Sequence, residues 1–347
     1  MMIWSNQTTG TDFVLLGLFH HIQAPNLLFT FIFLVFLATL VGNIMLLILI
    51  CFDSRLHTPM YLLLSQLSIM DLLYSSAIVP KATDFLSGKN TISFINCAFQ
   101  LILFTTLFGA DCLLLAVMAY DRYVAICHPL RYSVLMRPTV CVFVVVGTWL
   151  GALLNALIHV IYVLNLPYCN SREINHFFCE IPALLKLVCA DTSLYKNGLF
   201  LISGFVFFFL PISTIMASYG HILFTVLKLR SNLGIRKALA TCSSHMIVVS
   251  LFYGTAIIKY FLPKAYHTTE LDEVISVFYT IVTPMLNPLI YSLRNKEVGG
   301  AFRKILGKQR TKIVGNDLVR YIFPINFYIH EHFCFKYVLL HIVCFII

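Results

Sequence analysis

Two carboxylates, Asp71 and Asp111, lie deep inside long apolar runs, and a third acid stands beside a base in Asp121-Arg122-Tyr123. A charged side chain at membrane depth costs at least about 2.5–3.5 kcal/mol, so such groups face a protein interior and find partners. Two acids close together do not both ionise without a cation or a shared proton. Asp71 and Asp111 are therefore expected to hold a sodium ion or a proton; the alternative is two separately hydrogen-bonded structural acids. A buried aspartate pair also raises intramembrane aspartyl proteolysis. That chemistry needs both acids at one bond, and Asp111 and Asp121 stand about 15 Å apart on one helix. Asp71 can approach Asp111, yet no glycine-rich strand positions a substrate there. No catalytic residue is expected, and no spacing among the 12 histidines and 11 cysteines reads as a zinc site.

The runs that carry these residues are membrane spans. The chain is 59% hydrophobic and 11% charged, with a mean hydropathy of +0.87. Crossing a bilayer takes roughly 20 apolar residues. Seven runs qualify, at approximately 26–51, 58–80, 97–120, 139–163, 197–227, 238–262 and 271–293. Each has helical length, whereas a closed barrel would need short alternating strands. The expected fold is an all-α membrane protein, a seven-transmembrane helix bundle forming one domain.

Within the third run, Cys97, Leu101, Phe104, Phe108, Asp111, Leu115, Met118 and Arg122 recur by threes and fours, which places them on one helix face. Cys97 to Arg122 covers roughly 37 Å at about 1.5 Å per residue, close to a full bilayer. That face carries a loop anchor, two aromatic rings, a buried acid and an exit-side cation. On the seventh run Val277, Thr280, Pro284, Asn287 and Tyr291 share a face. Pro288 removes a backbone donor there, kinks the helix and frees carbonyls that nearby polar groups can satisfy; Asn43 of the first run is expected to belong to the same polar network. Trp149 reads as packing.

Orientation follows from the basic residues between spans. With the N-terminus extracellular, only Lys81, Lys89, Arg172, Lys186, Lys196, Lys259 and Lys264 fall outside, and fifteen others up to Lys312 fall on the cytoplasmic side. Glu270, Asp272 and Glu273 sit together outside. The net charge of +9 is thus an orientation signal, and no basic, aromatic-interleaved module is present for nucleic acid. No cleavable leader is visible, so the first span is expected to act as its own targeting signal. Asn6-Gln7-Thr8 is a glycosylation acceptor on the outer side. Four cysteines, Cys97, Cys169, Cys179 and Cys189, lie outside and allow three pairings.

Met118–His128, MAYDRYVAICH, together with PMYLLLSQLS at Pro59–Ser68, KALATCSSH at Lys237–His245 and PMLNPLIYSLRN at Pro284–Asn295, resembles the olfactory receptor family, tetrapod-type, of rhodopsin-like G-protein-coupled receptors. The motifs occur in order between about residue 6 and about residue 310. The resemblance implies an odorant receptor of the plasma membrane, with a small-molecule odorant, membrane lipid and a heterotrimeric G protein of the olfactory stimulatory type as partners, and a rise in cAMP as output. It implies G-protein coupling through Asp121, Arg122 and Tyr123, and an activation network of Asn43, Asn287, Pro288 and Tyr291. Asp71 matches the family's second-span acid, and Asp111 stands where most members carry glutamate. The implied disulfides are Cys97–Cys179 and Cys169–Cys189, folding the loop from about 164 to 196 down as a lid. The organisation expected is an extracellular N-terminus at 1–25, the receptor bundle at 26–293, a short amphipathic eighth helix at 294–310 and an atypical tail at 311–347.

A small-molecule pocket should lie between helices toward the outside, apolar with a few polar groups. The converging faces offer Phe104, Thr105, Phe108, Ser203, Phe207, Tyr253, Ala256, Ile257, Tyr260 and Thr280. Tyr253 matches the position that receptors of this fold use as a rotamer switch. Few full charges line the set, which suits a neutral volatile. Lys259 is expected to snorkel to the interface, His159 to face the pocket with Asn155 below it, and His176 to bond within its loop. Departures from the family pattern are Leu62 and Leu63, Leu239 and Ala240, and the long tail. The alternatives are a non-olfactory small-molecule receptor of the same fold, or a transporter or channel; the latter lacks repeated halves, interrupted helix pairs and a filter-like loop.

Overall fold

A computed structural model describes residues 12–16, 25–84, 90–169, 172–228, 232–262, 268–294 and 298–301. Asn6, the tail 311–347, most of 294–310 and the side chains of Leu239 and Ala240 lie outside the described residues. Among the described residues, seven helices are long and apolar enough to cross a membrane: Leu27–Phe52, Pro59–Lys81, Phe94–Cys127, Pro138–Leu164, Tyr195–Lys228, Cys242–Phe261 and Glu270–Ser292. They are called the first to seventh helices below.

The third helix is the axis of the bundle and packs on the second, fourth and fifth. Its most apolar window is 72% buried, against 33%, 28% and 17% for the first, fourth and fifth. Lipid replaces water as the solvent, so the usual pattern inverts at the rim. Leu34, Val41 and Phe143 are exposed, while Thr39, Asn43, Asp71 and Asp111 are buried. Local chemistry sets the helix ends. Ser93 caps the third helix by accepting from the Asn96 N–H at 3.2 Å, and Pro138 opens the fourth, where a missing donor costs nothing.

The outer face adds strands to the helical bundle that hydropathy alone suggests. β1 (Phe13–Leu15) pairs antiparallel with β2 (Thr91–Ile92) and parallel with β3 (Glu173–Ile174). Phe13 and Leu15 are buried in the cluster that contains Cys97 and Cys179, so the N-terminal segment is stitched to the outer loop at the top of the third helix.

Two helices depart from α geometry where side chains matter. The fifth contains π turns at Tyr195–Phe200 and Phe205–Phe209, and the seventh at Phe278–Val282; such turns re-aim side chains and gather at functional sites. At the first–seventh contact, a side-chain carbon on Gly42 would meet the rigid ring of Pro288 at 3.0 Å. Glycine is what lets these two helices approach.

Candidate ligand pocket, polar network and inner face

Phe104 and Phe108, one turn apart on the third helix, gather an aromatic layer. The Phe104 ring lies 5.8 Å from Tyr74, 5.2 Å from Phe178 and 5.8 Å from Tyr279. The Phe108 ring lies 5.4 Å from Phe252 and 5.7 Å from Tyr260. Below it Tyr253 packs on Phe208 at 5.2 Å and donates its hydroxyl to the Cys112 carbonyl at 3.1 Å, joining the sixth helix to the third. Ala256 is buried in the same cluster, Phe207 packs on its edge, and Thr105 is half-buried.

Three expected pocket residues are placed differently. Ile257 is 43% exposed and outside the packed cluster. At about 100° per residue it lies roughly 100° around the helix from Ala256, so the face holding Tyr253, Ala256 and Tyr260 turns away from it. Thr280 is fully buried, with its hydroxyl donated to the Ser276 carbonyl at 2.7 Å. Ser203 is bound into a group between the fourth and fifth helices: its hydroxyl lies 2.7 Å from Asn155 Oδ1 and 2.7 Å from His159 Nε2, whose Nδ1 meets Tyr195 Oη at 2.8 Å. Tyr74, Phe178, Phe252 and Tyr279 complete this aromatic layer and are absent from the sequence-derived set. Their identities carry no periodic signal beyond that of ordinary core aromatics.

Space lies one layer deeper, in a small cavity lined by Asp71, Asp111, Asn287, Tyr74, Phe252 and Tyr279 among others. Asn287 Nδ2 donates to both oxygens of Asp71, at 3.1 and 3.0 Å. Pro288 cannot donate to the Pro284 carbonyl, and Asn43 Nδ2 from the first helix takes that acceptor at 3.1 Å. Asp111 Oδ1, Asn287 Oδ1, Asn43 Oδ1 and Tyr291 Oη are buried without a hydrogen-bond partner. Of these, the Asp111 carboxylate oxygen and the Asn287 amide oxygen belong to residues that line the cavity, and oxygens of that kind fit a small hard cation. Asp71 and Asp111 both line this cavity.

At the roof, Cys97 is bonded to Cys179 and Cys169 to Cys189. The loop that they hold buries Phe177 and Phe178 completely, and the Cys179 N–H donates to Gln100 Oε1 of the third helix at 2.8 Å. Lys259 does not snorkel. It is only 7% exposed, and its Nζ donates to Glu180 Oε2 at 2.6 Å, Ser276 Oγ at 2.7 Å and Tyr279 Oη at 3.1 Å. Burial pushes the Glu180 carboxyl up, but the Lys259 ammonium beside it more than offsets this and holds it below its ordinary value. Burial lowers the His176 imidazole to about 4, leaving it neutral; its Nε2 meets Ser276 Oγ of the seventh helix at 3.1 Å and lies 3.5 Å from Glu180 Oε1 of its own loop. Glu180 is the residue the sequence reading missed. The available signal was topological: an apolar-span lysine needs a counter-ion, and Glu180 adjoins a cysteine tied to the third helix.

At the inner end the triplet is divided among partners. Asp121 is buried and accepts from Tyr132 Oη at 2.8 Å, tying the third helix to the following loop. Tyr123 Oη lies 3.0 Å from His128 Nε2. Arg122 is half-buried, and among the described residues no ion pair joins it to Asp121. Adjacent helical residues point in different directions, and it is Tyr132 that reaches the Asp121 carboxylate. Nearby, Tyr219 Oη and His245 Nδ1 meet at 2.6 Å and hold the fifth and sixth helices together.

A bundle with a disulfide-held outer lid, a closed aromatic layer beneath it and a polar strand of side chains down to the inner face is a seven-helix membrane receptor. The olfactory receptor family model matches residues 29–309. The human olfactory receptor 2T2 is 54% identical over 300 residues, covering 86% of this chain and 92% of that protein. The human olfactory receptor 2AG2 is 54% identical with 87% and 96% covered, and the mouse olfactory receptor 2V1 is 52% identical with 89% and 98% covered. The chain belongs to the olfactory receptor family. It is a multi-pass plasma-membrane receptor and not an enzyme.

Proposed function

We propose that this odorant receptor takes an uncharged small odorant into the aromatic layer between the third, sixth and seventh helices, and that its heterotrimeric G protein is of the stimulatory olfactory type. The observation that supports the pocket is the ring cluster of Phe104, Phe108, Phe252, Tyr260 and Tyr279 directly under the lid, with Tyr253 as its floor. A ligand wedged there changes the seating of Tyr253 against Cys112 and so shifts the sixth helix relative to the third. It acts only through its preference for the shifted state.

Phe108→Ala and Tyr253→Ala are expected to weaken odorant potency about tenfold, which corresponds to about 1.4 kcal/mol of lost contact, with surface level maintained. Ile257→Ala, on an exposed position, should leave potency unchanged. Dose–response curves in a cAMP reporter, normalised to surface antibody staining, read this. A neutral odorant whose response ignores both substitutions but is abolished by Lys259→Ala would place the pocket elsewhere.

For the deeper cavity we propose a sodium ion held by Asp71 and Asp111 with Asn287, stabilising the resting packing. A ligand that binds only the folded state raises its stability by mass action. The purified receptor should melt at a higher temperature in sodium chloride than in choline chloride, and Asp111→Asn should erase the difference. Equal Tm values in the two salts for the unsubstituted receptor would dismiss the ion.

A further inference from the structure

Lys259 and Glu180 form a buried ion pair that neither the odorant pocket nor the inner face requires. Lys259 is 7% exposed, Glu180 4%, His176 2% and Ser276 0%. The ammonium spends three donors on three partners. Glu180 supplies one oxygen to Lys259 at 2.6 Å and Tyr279 Oη at 3.4 Å, while its other oxygen lies 3.5 Å from His176 Nε2. The Lys259 Nζ also stands 4.9 Å from the centre of the Tyr279 ring, which packs against Phe104. Glu180 comes from the loop, whereas Lys259 comes from the sixth helix and Ser276 and Tyr279 from the seventh. The cation with its two hydroxyls is thus built on the bundle, and the carboxylate is brought to it by the lid.

We propose that Lys259, Ser276 and Tyr279 form a carboxylate-binding site in the roof of the pocket, filled by Glu180 as a tethered ligand, so that the receptor rejects carboxylate-bearing odorants and accepts uncharged ones. This rests on the reading that the odorant lies in the aromatic layer just below. An intramolecular carboxylate presented by a disulfide-held loop acts at a high effective concentration, so a free acid competes poorly for the same donors. An acid elsewhere in the layer would instead face the Glu180 carboxylate, with Lys259 already neutralised. Replacing one member strands a buried charge, whereas replacing both leaves none.

The test uses the full-length purified receptor and acetate, the fragment that Glu180→Ala removes. Glu180→Ala should lower Tm, and sodium acetate should restore at least about half of that loss relative to sodium chloride at equal concentration. Acetate should leave the unsubstituted receptor and the Glu180→Ala/Lys259→Met double variant unmoved. A rise in the double variant would mark a general salt effect, and a rise in the unsubstituted receptor would mean that Glu180 does not fill the site; either overturns the proposal. If Glu180→Ala cannot be purified, surface staining decides: the double variant should reach the surface several-fold better than Glu180→Ala alone, because stranded-charge destabilisation of this kind changes abundance several-fold. Equal or poorer delivery of the double variant refutes the pairing. None of these readouts involves an odorant, so their failure is separate from failure of the Phe108 and Tyr253 substitutions.

Discussion

Arg122→Ala is expected to reach the cell surface, to retain odorant binding and to give no cAMP rise. The structure separates the triplet into two fastened residues and one uncommitted cation. Asp121 is held by Tyr132, and Tyr123 sits against His128 and His221, the latter ring 5.7 Å away. Arg122, half-buried between them, has no ion-pair partner among the described residues. A cation kept near the hydrocarbon edge without a carboxylate is unfavourable, and an incoming G protein that offers acceptors relieves it. On this prediction the inner ends of the third and sixth helices part to present Arg122, and the cluster of Tyr123, Cys127, Tyr219 and Cys242 loosens with them. Removing the guanidinium should therefore leave the resting fold close to intact and delete the output. Asp121→Asn is expected to act differently, since it weakens the link to Tyr132 and with it the anchoring of the inner loop. Full signalling from a surface-delivered Arg122→Ala receptor would reduce the triplet to packing.

Cys97→Ser and Cys179→Ser are each expected to remove most surface delivery. The bridge spans 82 residues of chain and joins the top of the third helix to the loop that closes the pocket. Loss of a native disulfide costs about 2–5 kcal/mol in small extracellular domains, and here it releases more than a loop closure. The Cys179 N–H to Gln100 bond, the seating of Phe178 on Phe104 and the delivery of Glu180 to Lys259 all depend on where the bridge places residues 177–180. Freed from it, the loop leaves Lys259 buried without its counter-ion, the costly outcome for an ion pair. Cys169→Ser should be milder, because that bridge closes only 20 residues within the loop itself. Flow cytometry of live cells against total expression measures the order. Normal delivery and signalling in both the Cys97 and Cys179 variants would show that the lid holds without its anchor.

Much of this receptor is legible in its amino-acid sequence, for a physical reason. A lipid solvent demands long apolar helices and forbids stray charge, so composition alone determined the number of spans, and the basic residues determined their direction. The third-helix face from Cys97 to Arg122 followed from helical spacing, because one helix carries its own geometry. That polar groups would take a carbonyl freed by Pro288 was likewise readable, since proline removes a named donor at a named position; that Asn43 is the group needed the packing of the first helix on the seventh. What needed the tertiary structure were the partners chosen between elements. Lys259 looked like a side chain reaching for water, and only the loop path that brings Glu180 over the bundle makes burial affordable. Ile257 shares a nominal face with Tyr253, but rotation of the sixth helix against its neighbours decides which edge of that face is covered. Asp121 adjoins Arg122 in the chain, yet the side chain that binds it is Tyr132, eleven residues on. Spacing along one helix fixes which residues share a side; which of them meet across helices and loops is set by packing, and that is where the polar chemistry of this receptor was decided.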